Sequence, residues 1–460
     1  MNHSKKTPNK IFFIGIGGSG MSGLAEVLFN TGYEVYGSDI SESDVTERLK
    51  SLGIKVNIGH EKTSIDGMDM IIKSSAIEDS NAELIEAQKI GLPVLERAEL
   101  LSSLMNMKRG IAIAGTHGKT TTTSILASIM TEAMLDPTFI NGGIINSFAS
   151  NAKLGSGEYL IAEADESDKS FLMLQPTLEI ITNIDSDHLV NYENSMTNLE
   201  EGFTQFVKKL PFNGLLVACG DDETIRKLTP SFSRKTIYYG FGPENHYRIG
   251  SYEAKEFISK FSLTNPEGES QEFILNLPGK HNVLNATAAS VLAIEEGIPV
   301  INIQSALSKF SGINRRMQLL GKIDNTLVID DYGHHPTEIR STVLALRESF
   351  PDSKVNMIFQ PHRFTRTRDL FDDFIKVLQL VDELILLDIY SAGEDPIEGI
   401  SSSKLLENLK DFLQVSLVSS KEGALDQIQS NFIKGNNILL IQGAGNISEI
   451  SADLREIYSL

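Results

Sequence analysis

Apolar residues gather into short unbroken runs separated by longer stretches of helical periodicity. Residues 11–14, 70–73, 111–114, 159–162, 179–182, 215–218 and 236–239 read as strands, with a further strand at 34–37. Runs without polar alternation are expected of parallel strands covered on both faces. Between them, Leu24, Val27 and Leu28, and then Ile125, Leu126, Ile129 and Met130, recur at helical spacing. Residues 241–277 change character, and their short alternating runs predict a small antiparallel elaboration. A helix over 282–296 follows, stopped by Gly297 and Pro299. Strands at 326–330, 355–359, 383–387 and 437–441 then alternate with helices through Val343-Leu344, Phe374, Leu405 and Leu454. Strand–helix alternation throughout predicts doubly wound α/β sheets. No solenoid-length repeat or low-complexity tract interrupts it.

A chain of 460 residues is too long for one core. The pattern divides it at 1–108, 109–317 and 318–460, with Lys108-Arg109 as the first link. Hydrophobic content of 41% and charged content of 22% describe an ordinary globular chain. The single cysteine, Cys219, excludes a disulfide framework and fits a reducing compartment. The polar start MNHSKKTPNK is no secretory signal, and no apolar run could span a bilayer, so the cytoplasm is the expected location and no membrane partner is expected. A net charge of −20 disfavours a nucleic-acid partner. Any anionic ligand must be met by local lysine, arginine or helix N-termini.

The stretch IAIAGTHGKTTTT, residues 111–123, is strand, glycine loop, Lys-Thr and helix in order. That order wraps backbone N–H groups around a polyphosphate, with Lys119 on the outer phosphates and a threonine hydroxyl on Mg²⁺. The loop, Gly115, Thr116, His117, Gly118, Lys119, Thr120, Thr121, is shorter than the standard phosphate-loop spelling, because Ile113 stands where a glycine is expected. A glycine-rich turn with a solvated lysine explains less of it than a triphosphate site does.

A second glycine loop follows the first strand. Gly15-Ile16-Gly17-Gly18-Ser19-Gly20 satisfies GxGxxG, and Asp39 ends the next strand about twenty residues on. In this setting the pattern points to a diphosphate site, with the acid as ribose contact. Ser75 follows the strand at 70–73, where a ligand can lie at a carboxyl end.

Four acids, Glu163, Asp165, Glu166 and Asp168, follow the strand at 159–162. Held together they need a cation, and Glu163, emerging directly from the strand, is the first candidate for Mg²⁺; a solvated acidic loop is the plain alternative. His188 ends the run NIDSDH after the next strand and can reach the same metal. Asn282 and Asn285 lie three apart on one helical face, equally readable as helix capping or as ligand contacts. Arg315-Arg316 is either a charged linker or an arginine that enters the site. Asp331, Tyr332 and His334 sit in DDYGHHP at a strand's carboxyl end, and Pro336-Thr337 opens a helix. Arg363 and Arg366, in FQPHRFTRTR, suit a carboxylate.

Taken together, GTHGKTT, EADESD, NIDSDH, GKHNVLNA, NRRMQ, DDYGHHP and FQPHRFTRT resemble the Mur ligases, over essentially the whole chain. The resemblance implies three α/β domains: Rossmann-like for the UDP-sugar, a P-loop-type central ATPase with a parallel sheet, and a Rossmann-like C-terminal domain for the incoming amino acid. It implies ATP and Mg²⁺ as cofactors. Lys119 would hold the β/γ-phosphates, and Thr120, Glu163 and His188 the metal. Asn282 and Asn285 would lie around the nucleotide, and Arg316 and Asp331 would approach ATP. Tyr332, His334, Arg363 and Arg366 would frame the amino acid, and residues 15–20 would take the UDP diphosphate. The branch most resembled joins L-alanine to the carboxylate of UDP-N-acetylmuramate through an acyl phosphate. It serves peptidoglycan precursor synthesis, and with it cell shape and division. The chain departs from several relatives at one point. Between His188 and Lys208 it has no lysine to carry a carbamate for a second Mg²⁺, and that role is not assigned.

Three rivals remain open at this stage. One is a ligase of the same family that attaches a preformed peptide to the same sugar. Another is an NAD-dependent oxidoreductase resting on residues 15–20 and Asp39, which leaves Lys119 without a role. The third is a nucleotide-binding regulator, which leaves the histidine and arginine loops without one. Sequence does not separate monomer from homodimer.

Overall fold

A computed structural model describes residues 8–187, 189–432, 435 and 437–460. The chain forms two compact units. One comprises residues up to 250 with 262–273 and 284–309; the other comprises 251–261, 274–283 and 310–460.

The first unit begins with a five-stranded parallel sheet. Its spatial order is Lys55–Ile58, Glu34–Asp39, Lys10–Ile14, Met70–Lys73, Val94–Glu96. Phe12, Ile14, Ile71 and Leu84 form part of its core. The first strand, Lys10–Ile14, lies between Glu34–Asp39 and Met70–Lys73, so the strand order reverses direction beside it. Their carboxyl ends therefore open a crevice beside the glycine loop.

A ten-stranded sheet follows. Its order runs Ser270–Leu275, Ile258–Thr264, Tyr247–Lys255, Lys235–Gly240, Leu215–Cys219, Leu178–Ile181, Arg109–Ala114, Tyr159–Glu163, Thr138–Ile145, Ser150–Lys153. The strand expected before the phosphate loop is flanked on both sides by parallel partners. Ile111, Ala112, Ile113 and Ala114 are all fully buried, the continuous apolar run that two covered faces require. Residues 241–277 join this sheet at its edge, and their first pairing, Tyr239 to Tyr247, is parallel rather than antiparallel. The hairpin of Thr138–Ile145 and Ser150–Lys153 is antiparallel, carries a register shift, and has no counterpart in the sequence expectation. The helix expected over 282–296 spans Lys280–Glu295.

The six-stranded sheet of the second unit runs Gln318–Ile323, Thr326–Asp331, Asn437–Gln442, Lys354–Phe359, Glu383–Leu387, Gln414–Val418. Only the first pair is antiparallel among those described. Alternate residues of its strands serve opposite faces. Ile329, Met357, Leu384 and Leu440 pack into one core, and Val328, Ile358, Ile385 and Leu439 into the other. Pro336 starts the helix Pro336–Ser349 as expected, with Glu338 completing a capping box.

Candidate functional site

The phosphate-type loop is shaped by two glycines that no other residue could replace. Gly115 has φ +129°, and a Cβ there would lie 2.1 Å from Thr182 Oγ1. Gly118 has φ +85°, and a Cβ would lie 2.4 Å from Asn285 Oδ1. Asn285 therefore presses directly on the loop. Asn183 clamps it from the next strand: His117 N–H donates to its Oδ1 at 2.8 Å, and its Nδ2 donates to His117 O at 2.9 Å. Thr116 N–H donates to Asn183 O, and Asp185 N–H to Thr116 Oγ1. His117 Nε2 lies 3.6 Å from Asp185 Oδ2. Gly118 caps the helix Lys119–Glu132, whose first turn holds Lys119, Thr120 and Thr121.

Lys119 Nζ donates to Gly115 O, Thr116 O and Glu166 Oε2, the last at 2.7 Å. Burial works against its charge, but Glu166, Asp165 and Glu163 outweigh that and hold its pKa above the ordinary value. Glu166 is itself buried, and burial pushes its carboxyl up to about 7 despite Lys119. Thr120 Oγ1 donates to Glu163 Oε2 at 3.2 Å, and Gly142 N–H binds the other oxygen of Glu163. A hydroxyl and a carboxylate side by side at the mouth of this loop are the donor set that suits Mg²⁺. The predicted His188 lies outside the described residues. Asn282 Nδ2 donates to Pro278 O at 2.8 Å.

At the first sheet, Gly15 N–H and Ile16 N–H donate to Ser38 O, and Gly17 N–H donates to Asp39 Oδ2 at 2.8 Å. Asp39 thus braces the loop that it was expected to complement. Gly18 caps the helix Ser19–Asn30, and the side chain of Ser19 lies outside the described residues. Gly20, in the first turn of that helix, faces Arg97: a Cβ there would meet Nη1 at 3.0 Å. Arg97 Nη2 also donates to Ser170 Oγ at 3.2 Å, just beyond the acidic run. Ser75 sits exposed in the turn after Met70–Lys73. The glycine helix rests on the hairpin that holds Glu163. Arg48 ties Glu26 of that helix at 2.7 Å to Ser150 and Asn151 of the hairpin.

In the second unit, Asp331 is buried and saturated. Its Oδ2 accepts from Met317 N–H at 2.8 Å. Its Oδ1 accepts from Gly333 N–H, Thr342 Oγ1 and Gln442 Nε2. This anchors the loop carrying Tyr332 and His334. The rings continue in a chain: Tyr332 to His334 at 5.5 Å, His334 to His362 at 5.4 Å, His362 to Tyr390 at 5.5 Å and 19°. Arg315 and Arg316 lie 5.2 and 5.1 Å from the Tyr332 ring centre. Arg316 also pairs with Glu338 at 3.7 Å. Arg366 Nη1 lies 3.3 Å from His362 Nδ1, and Arg363 pairs with Glu394 at 3.7 Å. Burial, then His334 and the arginines, lower His362 to about 4, so its ring is neutral at pH 7. Arg363 adopts φ 73°, a conformation that costs about 1–3 kcal/mol outside glycine and is held by its N–H on Tyr390 O at 2.8 Å.

Asn183, Arg97, His362, Tyr390, Glu394 and Gln442 escaped the sequence reading as site residues. His362 stood within a motif already singled out. Asn183 opens the run NIDSDH that was also singled out, and the remaining four carried no local signal, since each acts on a partner far along the chain.

Three family models match in succession: "Mur ligase family, catalytic domain" over 10–109, "Mur ligase middle domain" over 113–293, and "Mur ligase, glutamate ligase domain" over 315–445. The crystal structure of UDP-N-acetylmuramate-alanine ligase MurC from Thermotoga maritima is similar over 98% of this chain and 99% of that one, with TM-score 0.84 and 31% identity. The chain belongs to the Mur ligase family. Family members are ATP-dependent amide ligases that normally use Mg²⁺. A murein peptide ligase from Psychrobacter arcticus shares the fold at TM-score 0.73 and 23% identity, over 97% of this chain and 98% of that one. MurF from Acinetobacter baumannii does so at 0.64 and 18%, over 92% and 90%. Membership removes the oxidoreductase reading. No helix among the described residues is long and apolar enough to cross a membrane.

Proposed function

We propose that this Mur ligase joins L-alanine to the carboxylate of UDP-N-acetylmuramate, with ATP cleaved to ADP and phosphate. The observation that carries the reading is end-to-end similarity at 31% identity to a UDP-N-acetylmuramate-alanine ligase, together with a short ring-lined loop cluster at Tyr332, His334, His362 and Tyr390. Domains at 1–108, 109–317 and 318–460 take the UDP-sugar, ATP and the amino acid.

The N–H groups of Gly15, Ile16 and Gly17 are engaged by Ser38 and Asp39, so residues 15–20 meet the diphosphate with the N-terminus of the helix Ser19–Asn30. Lys119 neutralises charge on the phosphates through the transfer, and Asn285 and Asn183 keep the loop in its curl. Thr120 and Glu163, with His188, hold Mg²⁺, which when bound offsets the negative charge between attacking carboxylate and triphosphate. The sugar's carboxylate attacks the γ-phosphorus, the bond to ADP breaks, and an acyl phosphate results. Arg363 and Arg366 orient the alanine carboxylate. The alanine amine then attacks the acyl carbon, phosphate leaves, and the amine proton passes to a nearby base, with His334 in reach of that loop. Asp331 acts by fixing the loop of Tyr332 and His334, and Arg316 presents its charge beside Tyr332. The acyl phosphate hydrolyses in open water, so shielding it is part of the task.

The test is phosphate release from ATP with UDP-N-acetylmuramate, offering alanine, glycine, serine and the murein tripeptide in turn. Turnover with alanine is expected. Turnover with the tripeptide and none with alanine would assign the chain to the peptide-adding branch.

A further inference from the structure

The phosphate-type loop holds an anion of its own. Glu166 is 1% exposed, and its Oε2 accepts from Lys119 Nζ at 2.7 Å. Its Oε1 is buried with no hydrogen-bond partner among the described residues. The backbone leaves it little room to withdraw, because Tyr192 OH and Lys169 N–H both donate to Glu166 O. The charged and titratable groups that face it are Lys119, Asp165 and Tyr192.

An ammonium has three protons, and all three of Lys119 are taken, by Gly115 O, Thr116 O and Glu166. A triphosphate must displace one of these partners to be gripped. The two carbonyls belong to the curl of the loop itself. Glu166 is the negative partner, and an arriving phosphate repels it. Once separated from Lys119 it is a buried carboxylate without a cation, which is costly in the charged form.

We propose that Glu166 is a positioning residue that holds Lys119 while the phosphate site is empty, and that a triphosphate takes the lysine from it, leaving Glu166 to bind one proton from solvent. The inference rests on the reading of Lys119 as the triphosphate ligand. It makes nucleotide binding a proton-consuming event. The group is half-protonated near neutral pH when paired with Lys119, so uptake grows between pH 6 and pH 8.

The experiment is isothermal titration calorimetry of the full chain with the magnesium complex of a non-hydrolysable ATP analogue. Titrations in HEPES and in Tris, whose ionisation enthalpies differ, yield the protons taken up per site. Wild type is expected to take up close to one proton at pH 8 and a small fraction of one at pH 6. Glu166→Gln is expected to take up none and to bind the analogue about tenfold tighter than wild type at pH 8, because no protonation accompanies binding. Analogue binding by wild type without proton uptake at pH 8 overturns the proposal, whatever the variant does. Equal uptake in wild type and Glu166→Gln overturns it too. If wild type binds no nucleotide, the reading of Lys119 fails first and this inference with it; if it binds with Lys119 required but no proton moves, only the inference fails.

Discussion

Replacing Asp331 by asparagine changes one oxygen for an NH₂ group and tests what this carboxylate does. Three donors converge on Oδ1 and one, Met317 N–H, on Oδ2 at 2.8 Å. The amide oxygen will take the more crowded side. Its NH₂ then faces Met317 N–H, donor against donor, in a site that is 6% exposed. Loss of one charge-assisted bond is about 1.5–3 kcal/mol, and a buried N–H without an acceptor adds about 1–3 kcal/mol. Together they come to about 2.5–6 kcal/mol. At about 2–4 °C per kcal/mol for a unit of this size, the transition of the second unit should fall by on the order of 10 °C. The chain has no tryptophan, so differential scanning calorimetry is the suitable assay. Wild type and variant should be compared at one pH and in one buffer. A fall of under about 2 °C would mean that the four donors find other acceptors and that Asp331 does not anchor the loop of Tyr332 and His334.

Other consequences are equally open to measurement. Glu179 is fully buried with neither carboxyl oxygen bonded among the described residues, and burial raises its pKa well above the ordinary value against the pull of Arg234. The folded chain then holds this proton where the unfolded chain has lost it, so stability falls as pH rises above the ordinary carboxylate range. Glu179→Gln should remove that part of the slope in a calorimetric series from pH 5 to 8.5, and parallel curves would refute the assignment. Arg97 stands beside Gly20 of the loop proposed for the diphosphate, so Arg97→Ala should raise KM for the UDP-sugar by about 10–100-fold, the worth of a charge-assisted contact, with KM for ATP changed far less; equal rises would place Arg97 elsewhere. Thr120→Ala should raise the Mg²⁺ concentration for half-maximal turnover by about tenfold, with the melting temperature within about 2 °C of wild type. An unchanged Mg²⁺ requirement would remove Thr120 from the metal site.

Much of the architecture is legible in the sequence. A parallel strand covered on both faces must be apolar at nearly every position, so residues 111–114, 215–218 and 438–441 stood out as unbroken runs. The glycine loops were legible too, because positive φ and close approach admit glycine alone at Gly115 and Gly118. Half-exposed edge strands such as Gln318–Ile323 and Gln414–Val418 carry no such run, and they escaped. So did the hairpin of Thr138–Ile145, where Asn141, Gly142 and Gly143 interrupt the apolar pattern and read as a turn.

The partners of the site residues were decided only by the fold. Lys119 could be recognised from its neighbours in sequence, yet the carboxylate it holds lies 47 residues away. Arg97 reaches Ser170 across 73 residues, and Gln442 reaches Asp331 across 111. Local sequence sets which backbone conformations and which buried faces are affordable, since those follow from each residue's own sterics and polarity. Which charges then share a desolvated space depends on how separate strands are ordered in a sheet, and that order is written in no single stretch of the chain.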